Sequence, residues 1–479
     1  MFQPLLPTIR RLHFYAGLLI APFLLVATIS GGLYALAPTA ESVVYRHLLH
    51  VDGKRPFVDV NKQVAAVRDY RPGSAVTAVD AAAEPGDTTR VYLADDTVGE
   101  SERRTVFVDP TTTTVLGDSV TFGSNGALPM RSWIDGLHRN LHLGEPGRLY
   151  SELAASWLWI VALGGLALWV DRFRSRRRNT GASWWRLGTV DRGGTRRSRT
   201  LNWHGAVGVW LVVGLVFLSA TGLTWSKYAG ANIGEMRHAL NWERPSLPES
   251  APVHHHGDSM AGPMAHPGQT DFDRALAVAR EHGLTGRVEI AAPSAASDSI
   301  TVSQTRVPWR YSIDTIAIDP STMRVTAHVP FSRWSLPAKL AEWGIQLHMG
   351  ILFGWVSALA LLALAVLLTT VIVRGYLMWW RRGPGPRPGR GPGRGSWRST
   401  FASAGWRARS WFIAAAVATA LVGYFVPLFG IPLLAFLVVD AVIGRFQRPP
   451  SDEDYPRAKA RSTSSVASQP MHLSVTDLP

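Results

Sequence analysis

The chain has 479 residues, of which 47% are hydrophobic; it contains no cysteine and carries a formal net charge of +14. The absence of cysteine excludes disulfides, iron–sulfur clusters and thiolate zinc sites, which leaves histidine as the main ligand for a soft metal. Long apolar runs predict a membrane protein. The arginines crowd into short loops beside those runs, which favours a role in orientation and argues against nucleic-acid binding.

Apolar spans alternate with polar segments along the chain. We predict four spans before the C-terminal region, at 1–36, 136–172, 201–226 and 342–382. The segment 173–200 is a predicted basic cytoplasmic loop, because ten arginines lie between Arg172 and Arg199. Both termini are therefore predicted on the cytoplasmic side of a multi-pass protein of the cell membrane.

Two polar segments, 37–135 and 227–341, are predicted to be extracytoplasmic α+β modules. The first has a helical pattern at Val60–Tyr70, and the second has one that begins near Asp271; alternating, strand-like stretches follow in both. Strands are expected at 76–79, 90–94 and 105–108 in the first module, and at 287–291, 299–303 and 315–318 in the second.

Six residues of the first module recur at the same spacing in the second. Thr105, Val108, Asp109, Pro110, Thr112 and Val115 correspond to Thr315, Ile318, Asp319, Pro320, Thr322 and Val325. A strand that runs into Asp-Pro and a threonine-rich turn is typical of a strand–turn–strand corner. We therefore interpret both aspartates as turn residues and not as catalytic groups.

The chain after the fourth span has three parts. A Gly/Pro/Arg-rich cytoplasmic linker, 383–410, has a composition that cannot bury a core and that suits anionic headgroups. Residues 411–444 are predicted to form a hairpin of a fifth and a sixth span, and 445–479 is a predicted disordered tail.

The most specific pattern joins histidines to glycines at fixed distances. His13 is followed by glycines at +4 and +18, and His204 repeats both offsets. His138 has a leucine at −1, glycines at +6 and +27 and a tryptophan at +31, and His348 repeats all of these. The glycines are Gly17, Gly31, Gly208 and Gly222 for the first pair, and Gly144, Gly165, Gly354 and Gly375 for the second. Four histidines thus lie at the ends of four duplicated helices.

This duplication predicts an α-helical integral membrane protein with two α+β extracytoplasmic modules. It would be a tandem repeat of span, module and span about a pseudo-twofold axis normal to the membrane, followed by a C-terminal helical hairpin. On such an axis His13 faces His204 at the cytoplasmic end, and His138 faces His348 at the outer end.

Two facing imidazoles can fill both axial positions of a haem iron, and glycines on the same helix face leave room for the flat macrocycle. We therefore predict two b-type haems, with His13 and His204 as ligands of one and His138 and His348 as ligands of the other. A histidine at the end of a single, unrepeated span would instead be interpreted as a hydrogen-bonding interfacial residue.

Three features leave alternatives open. His142 lies one turn after His138 and can replace it as the outer ligand. Arg131 and Arg148 can bind haem propionates or lipid headgroups. The tract from His254 to His266 combines histidine and methionine, which suits copper, although a flexible polar insertion has the same composition.

These motifs resemble the PepSY-associated transmembrane helix family over about residues 8–382. The resemblance rests on Leu12-His13 to Gly31, on the duplicated Asp-Pro corners, on Leu137-His138 to Trp169, and on Leu347-His348 through Trp379-Trp380-Arg381-Arg382. It implies a part in iron uptake, as a membrane-bound di-haem reductase that releases iron from ferric siderophores. PepSY modules are also linked to peptidase inhibition. That link implies an alternative function, as a haem-free sensor or regulator that binds a peptidase, a peptide or copper.

The cytoplasmic segments contain no nucleotide-binding fingerprint, such as Gly-x-Gly-x-x-Gly after a strand. The electron donor is therefore expected to be a membrane quinol or a separate cytoplasmic partner.

Overall fold

The computed structural model describes residues 5–53, 55–247, 270–294, 297–381, 401 and 405–446. The α-helices of these residues, in chain order, are α1 (Leu6–Val44), α2 (Arg46–Leu49), α3 (Val60–Tyr70), α4 (Pro129–Asn140), α5 (Gly144–Thr180), α6 (Arg196–Leu223), α7 (Tyr228–Ala239), α8 (Phe272–Glu281), α9 (Leu336–His348), α10 (Trp355–Trp380), α11 (Trp406–Phe425) and α12 (Pro427–Phe446).

Four of these helices, α1, α5, α6 and α10, are long and apolar enough to cross a membrane. The shortest of them has 26 residues, which at 1.5 Å per residue exceeds a hydrocarbon core of roughly 30 Å. They form one bundle, in which α1 and α6 each pack against α5 and α10. The chain is therefore a membrane protein. Below, the end of the bundle next to the β-sheet is the sheet end, and the opposite end is the far end.

The first helix continues past the predicted end of the first span. α1 continues to Val44, eight residues beyond the predicted end at residue 36. Its last turns leave the apolar stretch and carry Glu41, which is buried and accepts a hydrogen bond from the backbone nitrogen of Leu128 at 2.8 Å. The helix continues because α4 and the sheet cover this polar end.

The prediction that His138 and His348 begin the second and fourth spans is wrong. Each lies on its own short helix, α4 or α9, and the span begins after a break in the chain. The two breaks end at Gly144 and Gly354, whose φ angles are +62° and +54°. This backbone region favours glycine, which explains why the glycine at +6 is duplicated.

The eight strands of the described residues form a single sheet in the order β4-β3-β2-β1-β5-β6-β7-β8, with every neighbouring pair antiparallel. They are β1 (Val76–Ala81), β2 (Thr89–Leu93), β3 (Glu102–Val108), β4 (Val115–Phe122), β5 (Val288–Ala291), β6 (Ile300–Gln304), β7 (Thr315–Ile318) and β8 (Val325–Val329). Each predicted module contributes four consecutive strands. The strands join between β1 and β5, where Val79 pairs with Ile290.

The hairpins β3–β4 and β7–β8 have the same register. Thr105 pairs with Ser119 in one, and Thr315 with Val329 in the other. Both registers shift at equivalent places, after Phe107 and after Ala317 respectively. Such a β-bulge increases the local twist of a hairpin, so the two hairpins bend alike.

Helices α3 and α8 cover one face of the sheet and bury its main hydrophobic core, in which Val64 and Phe272 pack against Val106, Ile290 and Ile316. Side chains alternate along each strand, so their neighbours face the bundle. On that face Phe107 packs with Leu48 and Leu128. The sheet is thus fixed to α2 and to the start of α4.

Helices α11 and α12 form the hairpin predicted at 411–444. Their apolar parts, Arg409–Phe425 and Pro427–Ile443, are shorter than the four spans, so a fifth and a sixth crossing stay predictions. The linker 383–410 and the tail 445–479 lie largely outside the described residues.

The hairpin packs against the bundle through α12. The rings of Phe429 and Trp157 are 5.4 Å apart, and the indole nitrogen of Trp157 donates to the carbonyl oxygen of Leu428 at 3.1 Å. Nearer the far end, Arg11 of α1 forms an ion pair with buried Asp440 at 3.2 Å. The hairpin therefore covers the side of α1 and α5.

Candidate functional site

His13 of α1 and His204 of α6 face each other near the far end of the bundle. Their ring centroids are 6.3 Å apart, and the ring planes are nearly perpendicular, at 83°. The sequence places each histidine on the first turns of a span, and the crossing of those two spans brings the imidazoles together.

Both rings are held by hydrogen bonds from Nδ1 to a backbone carbonyl of a neighbouring span. His13 donates to Val161 of α5 at 2.8 Å, and His204 donates to Val371 of α10 at 3.0 Å. An imidazole whose Nδ1 carries the hydrogen has a lone pair on Nε2. Each ring thus has the tautomer and the fixed orientation of a metal-ligating histidine.

His138 of α4 and His348 of α9, the predicted second pair, both lie near the sheet end of the bundle. The Nδ1 of His138 donates to the carbonyl of Ala27 at 2.8 Å and lies 3.3 Å from the hydroxyl of Ser30. The Nδ1 of His348 lies 2.6 Å from the hydroxyl of Thr221.

The hydroxyl of Thr221 gives its own hydrogen to the carbonyl of Phe217, at 2.8 Å. It therefore accepts the hydrogen of Nδ1 from His348, and Nε2 again keeps a lone pair. The edge of Trp225 also packs against the imidazole of His348, with ring centroids 5.2 Å apart and planes at 88°. In all four predicted ligands, therefore, Nδ1 is used in a hydrogen bond and Nε2 keeps its lone pair, although the hydrogen-bond acceptors differ.

The duplicated glycines serve two purposes, and sequence analysis predicted only one. Gly31 makes room for an imidazole and not for a macrocycle, because a Cβ there would lie 3.0 Å from Cε1 of His138. A Cβ at Gly222 would lie 3.8 Å from Cε1 of His348, an ordinary contact, so Gly222 lies against that ring without being required for its space. Gly31 was identified from its spacing to His13, and Gly222 from its spacing to His204. Each of them nevertheless lies against a histidine of the pair at the opposite end of the bundle.

Gly165 and Gly375 lie against the pair at the far end, and Gly165 is required for the space of its ring. A Cβ at Gly165 would lie 2.8 Å from Cε1 of His13, and one at Gly375 would lie 3.7 Å from Cε1 of His204. Both glycines stand one helical turn after the carbonyl that accepts the hydrogen bond from the same histidine. One turn of α5 therefore supplies both the acceptor and the space for His13.

A cavity of about 610 Å³ surrounds His13 and His204. This volume is within the usual range for cofactor sites. Gly17 and Gly208, one turn after each histidine, line the cavity, and a Cβ at Gly208 would meet nothing within 4 Å. These two glycines fit the prediction of open space for a flat ligand. Most other lining residues are apolar, and Trp169 and Trp379 are among them.

Charged residues line the mouth of this cavity at the far end. They are Arg10, Arg172, Arg197 and Asp171. The three arginines are exposed and make no side-chain hydrogen bond or ion pair with any other residue that the structure describes. They are suited to bind carboxylates at the aqueous edge of an apolar cavity.

His142, the alternative outer ligand, occupies a different position. Its Nε2 donates to the carbonyl of Trp133 at 2.9 Å, its ring stacks on the indole of Trp133, and the residue is exposed. Its φ of +54° belongs to the break between α4 and α5. The geometry thus favours His138 as the outer ligand, because its Nε2 donates no such bond to a described residue.

Arg131, predicted to bind a haem propionate or a lipid headgroup, already has a partner within the protein. Its Nε lies 3.1 Å from a carboxylate oxygen of Glu41, and both side chains are buried. This ion pair joins α4 to the end of α1 and neutralises the arginine. Arg148 is only partly buried and stays a candidate for either role.

Both duplicated aspartates are turn residues. A carboxylate oxygen of Asp109 accepts from the backbone nitrogen of Thr111 at 2.8 Å, and one of Asp319 accepts from that of Ser321, also at 2.8 Å. Hydrogen bonds from Ser321 and Thr322 lower the pKa of Asp319 to about 2. The carboxylates thus stabilise the Asp-Pro corners.

The residues that hold the imidazoles were missed by sequence analysis, although a signal was present. Val161 and Val371 have the same spacing as Gly165 and Gly375, and Ser30 precedes Gly31 as Thr221 precedes Gly222. The described residues contain no cluster of three or more histidine or acidic side chains suited to a metal ion. The His254 to His266 tract lies outside them.

The family model for the PepSY-associated TM region matches residues 10–382. The match includes all four paired histidines and the whole sheet, and it ends just after α10. No curated protein matches the sequence.

Proposed function

The chain belongs to the PepSY-associated TM family, and from the geometry of its paired histidines we propose that it is a di-haem transmembrane electron-transfer protein. It would act as a ferric-siderophore reductase that releases iron on the extracytoplasmic side. The observation that carries this proposal is the pair His13 and His204, whose ring centroids are 6.3 Å apart.

This separation suits two imidazoles on opposite sides of one metal ion. A metal–nitrogen distance of about 2.0–2.1 Å on each side, plus the size of the rings, puts the centroids roughly 6 Å apart. The hydrogen bonds to Val161 and Val371 leave Nε2 of both rings available as the ligand atom. Each bond also holds its ring in place and raises the basicity of Nε2.

The surroundings of this pair also fit a haem. The cavity is apolar, it is open beside Gly17 and Gly208, and its mouth is lined by arginines. Arg10, Arg172 and Arg197 would bind the two propionates, since a guanidinium forms strong hydrogen bonds with carboxylates. His138 and His348, whose Nδ1 atoms are held by the carbonyl of Ala27 and the hydroxyl of Thr221, would hold a second haem at the sheet end.

When bound, two b-type haems would supply one-electron carriers near both sides of the bilayer. The protein keeps the two histidine pairs apart with the length of α1, which carries His13 near one end and contacts His138 through Ala27. Fe3+ in a siderophore that gains one electron becomes Fe2+, which hard oxygen ligands hold less tightly. No acid–base pair or nucleophile of the chain is required.

The proposed orientation puts the far end in the cytoplasm and the sheet outside. Its support is the arginine density between Arg172 and Arg199, at the far end. The proposed twofold arrangement is supported by the strand order, which is symmetric about the β1–β5 pair, and by the matching bulges of the two hairpins. Electrons would come from a membrane quinol or a cytoplasmic donor.

The deciding experiment measures haem content of the purified full-length protein. We expect two haems per chain and sharp b-type bands after dithionite reduction. His13→Ala and His348→Ala should each remove one haem, whereas His142→Ala should keep both. Size-exclusion chromatography and circular dichroism check that each variant is folded.

Two outcomes contradict this proposal. Folded His13→Ala and His348→Ala proteins that retain both haems would show that the ligand assignment is wrong. A colourless wild-type protein that never binds haem would favour the alternative, a haem-free sensor or regulator that binds a peptidase, a peptide or copper.

A further inference from the structure

The segment between α5 and α6 forms an arginine-rich structure at the far end of the bundle. We call residues 172–199 the arginine collar. It contains ten arginines, all of them exposed, and a single acidic residue, Asp191. Only Arg176 pairs with that aspartate, at 2.6 Å. The collar therefore has a large excess of positive charge in contact with solvent.

The collar is tied to the bundle by hydrogen bonds of two tryptophans. The indole nitrogen of Trp169 donates to the carbonyl of Leu187, and that of Trp210 donates to the carbonyl of Gly188, both at 2.9 Å. The ring of Trp184 packs on buried Phe173, with centroids 5.5 Å apart. The arginines thus stand on a fixed scaffold, which suits a docking surface better than a flexible basic tail.

Part of the collar lies on the last turns of α5, beyond the apolar part of that helix. α5 has 37 residues, which corresponds to about 55 Å. A whole bilayer, with its headgroups, is about 40–45 Å thick. The helix is therefore longer than a bilayer is thick, and its last turns, after Arg172, carry the exposed Arg176, Arg177 and Arg178.

The collar also surrounds the mouth of the cavity that holds His13 and His204. Arg172 and Arg197 belong to the collar and line that cavity. A partner that binds the collar is therefore placed next to the histidine pair at the far end, where an electron would have to enter.

We propose that the arginine collar is the docking surface of a soluble, acidic, one-electron carrier protein. This inference rests on the proposed function. The charge of the collar is complementary to such a carrier and would steer its diffusion toward the cavity mouth. A carrier that must dissociate after each electron needs a small, polar interface, and exposed arginines around a fixed scaffold provide one.

The test measures binding directly, so that it does not depend on turnover. Haem-loaded, full-length protein is placed in nanodiscs of neutral phosphatidylcholine, and binding of oxidised plant-type ferredoxin, an acidic one-electron carrier, is measured by surface plasmon resonance. We expect the Kd to rise roughly tenfold or more between low and high ionic strength, because salt screens interactions between exposed charges.

The collar variant is Arg178→Gln/Arg192→Gln/Arg199→Gln. These three side chains make no hydrogen bond or ion pair with other described residues, so the folded structure should not depend on them. Seven collar arginines remain to set the orientation. We expect this variant to raise the Kd for ferredoxin roughly tenfold and to weaken its dependence on salt.

The matched control is Arg68→Gln/Arg274→Gln/Arg324→Gln, the same loss of charge at exposed positions beside the sheet. It should bind ferredoxin as wild type does. Equal Kd values for the collar variant and wild type would overturn the proposal, and so would a collar variant that loses only its binding to vesicles of phosphatidylglycerol. The absorbance of the haems is recorded for each sample, so a colourless protein counts against the proposed function and not against the docking surface.

Discussion

His13 donates the hydrogen of Nδ1 to the carbonyl oxygen of Val161, at a distance of 2.8 Å. His204 does the same to Val371, which stands at the equivalent position of the second half. In both cases a glycine one turn later, Gly165 or Gly375, lies against the same ring, and a Cβ at Gly165 would lie 2.8 Å from it. Because the acceptors are backbone atoms, side-chain substitutions cannot remove them. The role of such bonds is better tested at the other pair, where a side chain takes part.

Thr221→Val should weaken the binding of a haem at the sheet end. The hydroxyl of Thr221 is the acceptor for Nδ1 of His348 at 2.6 Å, and valine has nearly the same shape without it. Loss of a hydrogen bond that orients a metal-bound histidine typically costs about 10–100-fold in affinity. Haem titration of the apoprotein, followed by absorbance, measures this change, and Thr221→Ser should restore tight binding.

Ser30→Ala is the matched control for that substitution. Ser30 stands near His138 as Thr221 stands near His348, but His138 also donates to the carbonyl of Ala27 at 2.8 Å. The imidazole of His138 keeps this acceptor when the hydroxyl is lost, so we expect a much smaller change. Equal losses of affinity in both variants would mean that the hydroxyls do not act through the tautomer of the histidine.

Gly208→Leu should exclude haem from the cavity at the far end while the protein still folds. A Cβ at Gly208 meets no atom within 4 Å, and leucine has a higher helix propensity than glycine. The added side chain would occupy the space next to His204 that we assign to the macrocycle. We expect one haem per chain in place of two, with thermal stability of the apoprotein unchanged or slightly raised.

Gly73→Leu is not a suitable control for that variant, since the φ of Gly73 is +84°. Gly234 of α7 is better, because it also has open space around it and lies outside the cavity. Gly234→Leu should retain both haems. If Gly208→Leu also retained both, the cavity would not be the haem site.

Much of the local structure could be predicted from the sequence, because it depends on neighbouring residues. The helix at Val60–Tyr70 is confirmed, since its apolar residues recur at helical spacing. The break between α4 and α5 was missed because the apolar stretch continues through it, and the positive φ angles of Leu141 and His142 belong to residues that rarely adopt them. The duplicated Gly144 was the available signal.

Relations between distant segments could not be predicted. The pairing of Val79 with Ile290 merges two expected modules into one sheet, but either strand could equally have stayed at the edge of its own sheet. In the same way, Gly31 follows His13 in the sequence and yet makes room for His138. Equal spacing identifies which residues are duplicated, whereas only the packing of the helices shows which of them meet.

The ion pair between Glu41 and Arg131 should stabilise the junction between α1 and α4. The two groups are 3.1 Å apart, both are buried, and Glu41 also accepts a hydrogen bond from the backbone nitrogen of Leu128. Arg131→Met removes one partner and leaves a buried carboxylate, which typically costs about 3–5 kcal/mol. Thermal unfolding in detergent should show this loss, and Glu41→Leu/Arg131→Met should be less destabilised than the single variant. Additive effects of the two substitutions would show that the groups do not interact.

Asp319 should make the sheet sensitive to acid. Its carboxylate accepts hydrogen bonds from Ser321 and Thr322, which lower its pKa from 3.8 to about 2. A group whose pKa is lowered in the folded state contributes stability above its unfolded pKa, and this contribution disappears as the pH falls from about 4 to about 2. Asp319→Asn keeps a side-chain oxygen for the turn but cannot titrate, so its stability should fall less steeply over this interval. Unfolding followed by tryptophan fluorescence between pH 2 and pH 7 measures the difference, with Asp69→Asn, an exposed position at the end of α3, as the control. Identical pH profiles for Asp319→Asn and wild type would mean that the Asp-Pro corner does not contribute to acid unfolding.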